Sequence, residues 1–338
     1  MNPKLQWLRN KMTSLDLQGL IISNPINIKY LTNIEAEGTL LLTRKENIYI
    51  TDSRYIEHVH SILTLFDEII VYDMKDVSKE DYENFFMFCE NVGFEENYVT
   101  YAKYKEYIIE KQRMIKDEEE ISNIRKACEI TDNCFSYILD YIKPGMTEKQ
   151  IADEIEEYYK QRTDGLSFET IVASGENSSK PHAVPTDRKI QDIDIITIDM
   201  GCKVNGYCSD MTRTFFVGEV PEYVKPVYDL VLKNQTKIVE DYKDGASTRM
   251  LTKMVENDFK LNGHDLVHAL GHGVGMEIHE APYINRRSDT ILKENMVVTN
   301  EPGIYITGKF GVRIEDTVQI TKFGCINLTN SEKNYIVI

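Results

Sequence analysis

The chain has 338 residues, enough for two domains that each bury a core of their own. It carries 39 basic against 55 acidic residues, and the net charge of -16 argues against nucleic acid or an anionic membrane as a partner. The first residues lack the apolar core of a signal peptide, and no run approaches the ~20 apolar residues of a membrane span. Six cysteines without CxxC spacing favour a reducing, cytoplasmic setting.

The first third of the chain alternates short apolar runs with helical patterns. Leu5, Leu8, Met12 and Leu15 recur at helical spacing and predict an amphipathic helix over 3–17. Further helices are expected near 54–65 and 78–88, and strands at 19–22, 39–42, 48–50, 69–72 and 91–94. Because strands and helices alternate, we predict a small α/β domain over residues 1–112.

Helix-capping signals organise the rest of the chain, for which we predict a second domain over residues 117–338. Asp117 and Glu120 form a capping box ahead of a long helix, and Thr147 and Gln150 cap the next helix. The elements that follow are a strand over 168–173, a hairpin, helices over 223–242 and 247–261, and another hairpin. The order helix, helix, hairpin occurs twice, which suggests a distant internal duplication wrapped around one sheet.

The first hairpin, residues 195–217, is predicted from two β-branched runs that flank an Asn-Gly turn at 205–206. With those two residues as the loop, Asp199 lies opposite Thr212, and Asp210 lies diagonally across on the same face. Two carboxylates on one face of an apolar hairpin resist ionisation unless a cation lies between them. The pattern therefore indicates a metal site.

A second hairpin is predicted over residues 297–320. With a three-residue loop at 308–310, Glu301 lies opposite Thr317, and Glu315 lies diagonally on the same face. A two-residue loop would break this register, so the register depends on the loop chosen. The order of a carboxylate hairpin, a histidine-rich strand and a second carboxylate hairpin resembles that of a binuclear metallohydrolase.

The histidine-rich strand between the hairpins reads H-A-L-G-H-G-V-G-M-E-I-H-E over residues 268–280. His264 precedes it and matches no motif, so a surface position is expected for that residue. Taken alone, a histidine among glycines is more often packed or hydrogen-bonded than a metal ligand. Four carboxylates with one imidazole, however, make an oxygen-rich set that suits Mn²⁺ better than a cysteine-rich zinc site would.

Several motifs together resemble the pita-bread metallopeptidases, in the Xaa-Pro aminopeptidase and prolidase branch. They are S-D-M-T-R-T, H-A-L-G-H-G-V-G-M-E-I-H-E, N-E-P-G-I-Y and G-V-R-I-E-D. The resemblance is strong over residues 116–338. In the residues before 116 it rests only on the order of the predicted strands and helices. It implies an α/β (α+β) fold in which a creatinase-like N-terminal α/β domain precedes a pita-bread catalytic domain.

The resemblance also implies roles for individual residues. The implied metal ligands are Asp199, Asp210, His272, Glu301 and Glu315, with Asp210 and Glu315 bridging two divalent ions, Mn²⁺ first and Co²⁺ or Zn²⁺ as substitutes. The implied catalytic residues are His182, His279 and Glu301, and the implied substrate-binding residues are His268, Tyr305 and Arg313. Four of these residues also have a plainer interpretation: His182 as a solvated loop residue, His268 as a packed residue, and Tyr305 with Arg313 as support for the turn.

The function implied is an exopeptidase that hydrolyses the Xaa-Pro bond of short peptides through a hydroxide held between two metals, as a dipeptidase or an aminopeptidase P. A homodimer is expected. A methionine aminopeptidase, a creatinase-like hydrolase and an inactive protein-binding module are the alternatives. One departure from the family pattern is Ala269-Leu270, where Gly-Thr is common, and these bulkier side chains are expected to reshape the rim of the pocket.

Overall fold

The computed structural model describes residues 2–44, 46–63, 69–78, 81, 85, 89, 91–95 and 108–338. They form two compact units, Met1–Gln112 and Arg113–Ile338. No helix among the described residues is both long enough and apolar enough to cross a membrane. All six cysteines are free thiols.

The first unit is a mixed sheet with helices, as predicted. Its strands are β1 (Gly19–Ile22), β2 (Gly38–Thr43), β3 (Asn47–Thr51), β4 (Ile69–Asp73) and β5 (Val92–Phe94), in the order β4-β3-β2-β1-β5. Its helices are α1 (Pro3–Ser14), α2 (Pro25–Thr32) and α3 (Ile56–Leu63), and α4 (Ile108–Met114) includes the division between the units. Helix α2 was not predicted from the sequence, and the helix expected over 78–88 lies mostly outside the described residues.

The second unit begins with two helices packed on a hairpin. The helices are α5 (Glu118–Tyr141) and α6 (Glu148–Lys160), and both start with the predicted capping boxes. The strands are β6 (Gly165–Leu166), β7 (Ile171–Ser174), β8 (Asp194–Met200), β9 (Cys202–Val204), β10 (Tyr207–Cys208) and β11 (Met211–Val217). Phe135, Ile155, Ile198 and Phe215 belong to the core that joins the helices to β8 and β11.

A second pair of helices packs on a second set of strands. These elements are α7 (Lys225–Ile238), α8 (Thr248–Leu261), β12 (Gly271–Gly273), β13 (Glu280–Ile284), β14 (Val297–Asn300), β15 (Gly303–Ile306), β16 (Phe310–Arg313), β17 (Asp316–Ile320) and β18 (Cys325–Asn327). Their core includes Val231, Phe259, Val298 and Val318. The strand order β7-β8-β11 in the first half corresponds to β12-β14-β17 in the second.

The expectation of one continuous sheet is wrong. The second unit contains separate sheets in the orders β10-β9-β6, β11-β8-β7, β13-β12-β14-β17-β18 and β15-β16. The ladders are interrupted at Gly201 and Pro302, which lie between paired strands in the two hairpins. An added Cβ at Gly201 would overlap the carbonyl oxygen of Ser209, so the backbone approaches too closely there for any larger residue.

Side-chain alternation gives each hairpin one apolar and one polar face. In β8 and β11, Ile198 and Phe215 face the first helix pair, so Asp199 and Thr212 face away from it. In the second hairpin Val298 and Val318 face the second helix pair. The polar faces of the two hairpins meet each other between the helix pairs, and this is where the predicted site residues lie.

Candidate metal centre

The first hairpin has the predicted register. Asn205 and Gly206 both have positive φ, 50° and 79°, as a type I′ turn requires. Val204 pairs with Tyr207, and Asp199 pairs with Thr212. An Asn-Gly loop fixes the pairing along the whole hairpin, so Asp199 and Asp210 face the same side.

The second hairpin differs from the predicted register by two residues. Ile306 pairs with Phe310, so the loop is 307–309 and not 308–310. Asn300 pairs with Asp316 and Gly303 with Arg313, which places Glu301 opposite Glu315 and not opposite Thr317. A shift of two residues leaves every side chain on its original face, so both carboxylates still face the first hairpin.

Hydrogen bonds join the two polar faces. The Thr212 hydroxyl donates to Glu315 Oε2 at 2.6 Å, and the Glu315 N–H donates to the Thr212 carbonyl at 3.0 Å. In the same way the Thr317 hydroxyl donates to the Asp210 carbonyl at 2.8 Å. The residues that were predicted to bridge two metals are therefore fixed against each other by backbone and hydroxyl contacts.

Three of the predicted ligands form a compact cluster. Asp210, His272 and Glu315 are buried and place one donor atom each within 4.8 Å of one another. Asp199 and Glu301 line the same cavity. His272 Nε2 lies 3.5 Å from Asp210 Oδ2 and 3.3 Å from Glu301 Oε1.

The charges at this cluster are unbalanced. Burial, with the charges of Glu315, Asp199 and Glu301, raises the pKa of Asp210 well above its ordinary value. Burial and the neighbouring carboxylates also raise the pKa of Glu315 well above its ordinary value. Burial raises the pKa of Asp199 too, although Arg313 opposes this effect. Bringing these carboxylates together in the ionised form requires additional positive charge.

His272 and Glu301 partly balance each other. Burial alone would lower the pKa of His272, but the hydrogen bond and charge of Glu301 outweigh it and raise that pKa. Burial would raise the pKa of Glu301, but the hydrogen bond and charge of His272 lower it to about 2. Thr299 orients both residues, because its hydroxyl accepts from the His272 N–H at 3.0 Å and donates to Glu301 Oε1 at 3.1 Å.

Arg313 connects the first hairpin to the pocket. Its guanidinium donates to Asp199 Oδ2 at 2.7 Å, to the Tyr305 hydroxyl at 2.7 Å, to Thr212 Oγ1 at 3.0 Å and to the Pro181 carbonyl at 3.0 Å. The other oxygen of Asp199, Oδ1, is buried and has no hydrogen-bond partner. One oxygen of this carboxylate is thus held in place while the other remains available to a ligand.

With the exception of Tyr305, the remaining predicted residues line a cavity of about 480 Å³. His279 packs edge-on against His272 with ring centroids 4.4 Å apart, and burial lowers its pKa. His268 also lines the cavity, and its Nε2 lies 3.0 Å from the hydroxyl of Tyr305. His182 lies on the wall as an exposed loop residue. Tyr305 is not a wall residue and reaches the cavity only through Arg313 and His268.

The structure adds residues that the sequence analysis did not select. The cavity is also lined by Phe168, Glu169, Ile171, Ile278 and Tyr283. Ala269 is part of the wall, whereas Leu270 is fully buried in the second core. The expectation that both residues reshape the rim is therefore wrong for Leu270. Thr212 and Thr299 could have been found from the sequence, since each shares a hairpin face with an acidic ligand.

The donor set fits a divalent cation. The four carboxylates and the one imidazole that were predicted as ligands face a single cavity, carboxylate pKa values are raised where no cation balances them, and Asp199 Oδ1 is buried without a partner. Mostly oxygen donors with one imidazole suit hard or intermediate divalent ions. The site can therefore hold metal at the meeting faces of the two hairpins.

Comparisons with known proteins agree with this geometry. Residues 122–322 match metallopeptidase family M24, and residues 4–126 match the creatinase/prolidase N-terminal domain. The Xaa-Pro dipeptidase of Pyrococcus furiosus is 35% identical over 99% of this chain and 100% of its own length. Among solved structures, an Xaa-Pro dipeptidase from Bacillus anthracis has a TM-score of 0.91 at 35% identity, with 99% of each chain covered.

A second solved structure, the X-Pro aminopeptidase from Thermotoga maritima, has a TM-score of 0.84 at 31% identity and covers 97% of this chain and 100% of its own. The matches extend over both units, so the N-terminal unit is a creatinase-like domain and the second unit has the pita-bread fold. The carboxylate and histidine cluster lies in the segment that matches the metallopeptidase family. The chain belongs to metallopeptidase family M24.

Proposed function

We propose that this enzyme is a binuclear metal-dependent exopeptidase that hydrolyses the Xaa-Pro bond at the amino terminus of short peptides. The observation that carries the proposal is the cluster of Asp210, His272 and Glu315, which line the cavity with donor atoms within 4.8 Å of one another. Relatives named Xaa-Pro dipeptidase and X-Pro aminopeptidase support the choice of substrate.

The residues proposed to hold the two ions are Asp199, Asp210, His272, Glu301 and Glu315. Asp210 and Glu315 are assigned as the shared ligands, because they come from opposite hairpins and are fixed against each other through Thr212 and Thr317. The oxygen-rich set favours Mn²⁺, with Co²⁺ or Zn²⁺ as substitutes. When bound, such a pair of ions supplies hydroxide at neutral pH and polarises the peptide carbonyl.

The chain's own residues would carry the proton and stabilise developing charge. Glu301 lines the cavity beside His272, and we assign its carboxylate to accept the proton of the attacking water. We assign it the return of that proton to the leaving proline nitrogen. His279 lines the cavity beside His272, and we propose that it stabilises the oxyanion that develops on the scissile carbonyl. His182, which also lines the cavity, is assigned to substrate contact.

The cavity suits a short peptide. Its volume of about 480 Å³ is within the ordinary range for small-ligand sites, and Phe168, Ile171 and Ile278 supply apolar wall for a proline ring. We assign His268, Tyr305 and Arg313 to shaping this pocket, since the Tyr305 hydroxyl joins the other two. Short peptides with proline in the second position are therefore the proposed substrates.

The charges on the wall favour peptides longer than two residues. Among the described residues that line the cavity, Arg313 is the only arginine or lysine. Its guanidinium nitrogens already donate to Asp199, Thr212, Tyr305 and the Pro181 carbonyl. A dipeptide would bring its carboxylate next to several acidic residues without a free cation to pair with, whereas a longer peptide places that charge further out.

The proposal is tested by hydrolysis of Ala-Pro-Ala, Ala-Pro and Met-Ala-Ala with chelator-stripped protein, before and after addition of Mn²⁺. We expect Mn²⁺-dependent release of alanine from Ala-Pro-Ala, slower cleavage of Ala-Pro and no cleavage of Met-Ala-Ala. Preferred cleavage of Met-Ala-Ala would indicate a methionine aminopeptidase. No turnover of any of the three with metal bound would favour a binding module.

Two further assignments belong to this proposal. We propose residues 1–112 and 117–338 as the two domains, and a homodimer in the cytoplasm as the working form. Light scattering tests the dimer, since a stable monomer at micromolar concentration would contradict it. Separate expression of residues 117–338 tests the boundary, because a domain with its own core should unfold cooperatively.

A further inference from the structure

The loop over residues 175–185 carries His182 and Pro181 to the wall of the cavity. The Pro181 carbonyl accepts from Arg313 at 3.0 Å, and the Ser178 hydroxyl accepts from the Gly311 N–H at 2.9 Å. These contacts hold the middle of the loop against the second hairpin. His182 itself is exposed, so its position over the cavity depends on what holds the ends of the loop.

Glu148 holds both ends of this loop. Its carboxylate is completely buried at the start of α6. Oε1 accepts from the N–H and the hydroxyl of Ser174, and Oε2 accepts from the N–H and the hydroxyl of Thr186 and from the side-chain amide of Asn177. The five distances lie between 2.6 and 2.9 Å. One carboxylate therefore joins the two ends of the loop through hydrogen bonds.

The surrounding groups require an acceptor at this position. Arg188 donates from Nη1 to the Ser174 hydroxyl at 2.6 Å and from its backbone N–H to the Thr186 hydroxyl at 3.1 Å. Each hydroxyl therefore accepts from Arg188 and donates to Glu148. Within the described part of the chain, no lysine or arginine forms an ion pair with Glu148, so the hydrogen bonds and the position in the first turn of α6 compensate the buried charge.

The second half of the domain shows that the fold itself does not need this carboxylate. Glu148 N–H donates to the Arg188 carbonyl at 3.1 Å, and Thr248 N–H donates to the Thr290 carbonyl at 3.0 Å. The glycines three residues earlier also make matching contacts and both have a φ of 90°. Thr248 thus occupies the equivalent position in the second half, where the helix begins without a carboxylate. We infer that the carboxylate of Glu148 serves to hold the loop.

We propose that Glu148 is a positioning residue of the active site, which fixes the loop 175–185 so that His182 and the Pro181 carbonyl keep their places against the substrate. This inference rests on the proposed peptidase function for its effect on turnover. Its effect on the loop is independent of the reaction. None of the five hydrogen bonds of Glu148 goes to a predicted metal ligand, so its direct effect is on the loop.

The test compares Glu148→Gln with the wild type in the Mn²⁺-loaded protein. In either orientation the glutamine places an NH₂ group against a backbone N–H, that of Ser174 or that of Thr186. We expect faster hydrogen exchange in the peptide 174–186, a changed NMR signal for the His182 ring, and an unchanged metal content. We also expect kcat/KM for Ala-Pro-Ala to fall by about tenfold or more, because small displacements of substrate contacts have large effects on rate.

A double-mutant cycle with His182→Ala identifies the route of the effect. If Glu148 acts by placing His182, Glu148→Gln should lower kcat/KM far less in the His182→Ala background than in the wild type. Glu157→Gln is the matched control, since it makes the same substitution on an exposed face of α6. Glu148→Thr is the second variant, because threonine already serves at the equivalent helix start.

Three results would overturn the proposal. They are loss of metal with Glu148→Gln, an equal fall in kcat/KM with and without His182, or full turnover despite faster loop exchange. If the wild type cleaves no Xaa-Pro peptide, the proposed function fails, and the exchange and NMR measurements still decide whether Glu148 fixes the loop. If Glu148→Gln does not fold, the same criteria apply to Glu148→Thr.

Discussion

Replacing Thr212 by valine should weaken metal binding without disturbing the fold. The Thr212 side chain is completely buried between the hairpins. Its hydroxyl donates to Glu315 Oε2 at 2.6 Å and accepts from Arg313 Nε at 3.0 Å. Valine keeps the shape of the side chain and removes both hydrogen bonds, so Thr212→Val tests the hydroxyl alone.

The magnitude follows from the charges on the two partners. A hydrogen bond to a charged group contributes about 1.5–3 kcal/mol, and 1.4 kcal/mol is a tenfold change in an equilibrium constant at 25 °C. Metal ligation requires ionised Glu315, and the Thr212 hydroxyl favours that form by lowering its pKa. We therefore expect Mn²⁺ to bind about tenfold to a hundredfold more weakly to the variant.

The assay is a calorimetric titration of chelator-stripped protein with Mn²⁺ at several pH values. Because the variant loses a donor to the carboxylate, the pKa of Glu315 rises further in the metal-free protein. The pH at which metal binding becomes half-maximal should consequently move upward. Thr252→Val is the matched control, since Thr252 is buried within α8 and donates only to the Thr248 carbonyl.

An affinity within about twofold of the wild type would refute this reasoning, given an expected change of tenfold or more. It would mean that the hydroxyl does not influence the ionised carboxylate. Equal losses in Thr212→Val and Thr252→Val would instead show a general effect of removing a buried hydroxyl.

Further predictions concern the ligands, the oxyanion and stability. Asp210→Asn should lower Mn²⁺ content while leaving the melting temperature nearly unchanged, and full occupancy would exclude the bridging role. His279→Ala should lower kcat about a hundredfold with metal retained; a metal-free variant would show that His279 is a ligand. Glu280 contacts Lys116 at 2.8 Å and also pairs with Arg113. Burial would raise the pKa of Glu280, but these cations lower it in the folded protein. The ion pairs of Glu280 therefore stabilise the fold at pH values above the ordinary pKa of a carboxyl group, and this stabilisation is lost as the pH falls through the pKa of the folded state. Glu280→Gln should therefore reduce the unfolding free energy at pH 7 by about 3–5 kcal/mol and flatten its decline in acid, measured with urea; parallel pH profiles would contradict this.

Local signals in the sequence were sufficient for most of the described helices and for one hairpin. The Asn205-Gly206 turn has a single favourable geometry, so the position of Asp199 opposite Thr212 followed from it. The capping boxes at Asp117 and Thr147 predicted the starts of two helices, because their hydrogen bonds involve only residues three apart in the sequence. The short helix α2 could also have been found, because Asn24 caps it and Pro25 occupies its first turn.

Local sequence signals did not determine the register of the second hairpin or the contacts that hold the loop 175–185. The sequence left the length of this loop open, and only the structure shows that the loop is 307–309, with Gly308 at a φ of 69° and Gly311 in β16. Glu148 looked like an ordinary first-turn residue of a capped helix. Its partners Ser174 and Thr186 are far away in sequence, and no periodicity or spacing connects them to it.

The most direct test of the central claim is a single titration that measures bound Mn²⁺ and Ala-Pro-Ala turnover in the same samples of stripped protein. A binuclear centre predicts that turnover continues to rise until two ions are bound per chain and then stays constant. Turnover that is complete with one ion bound, or absent with two ions bound, would contradict it.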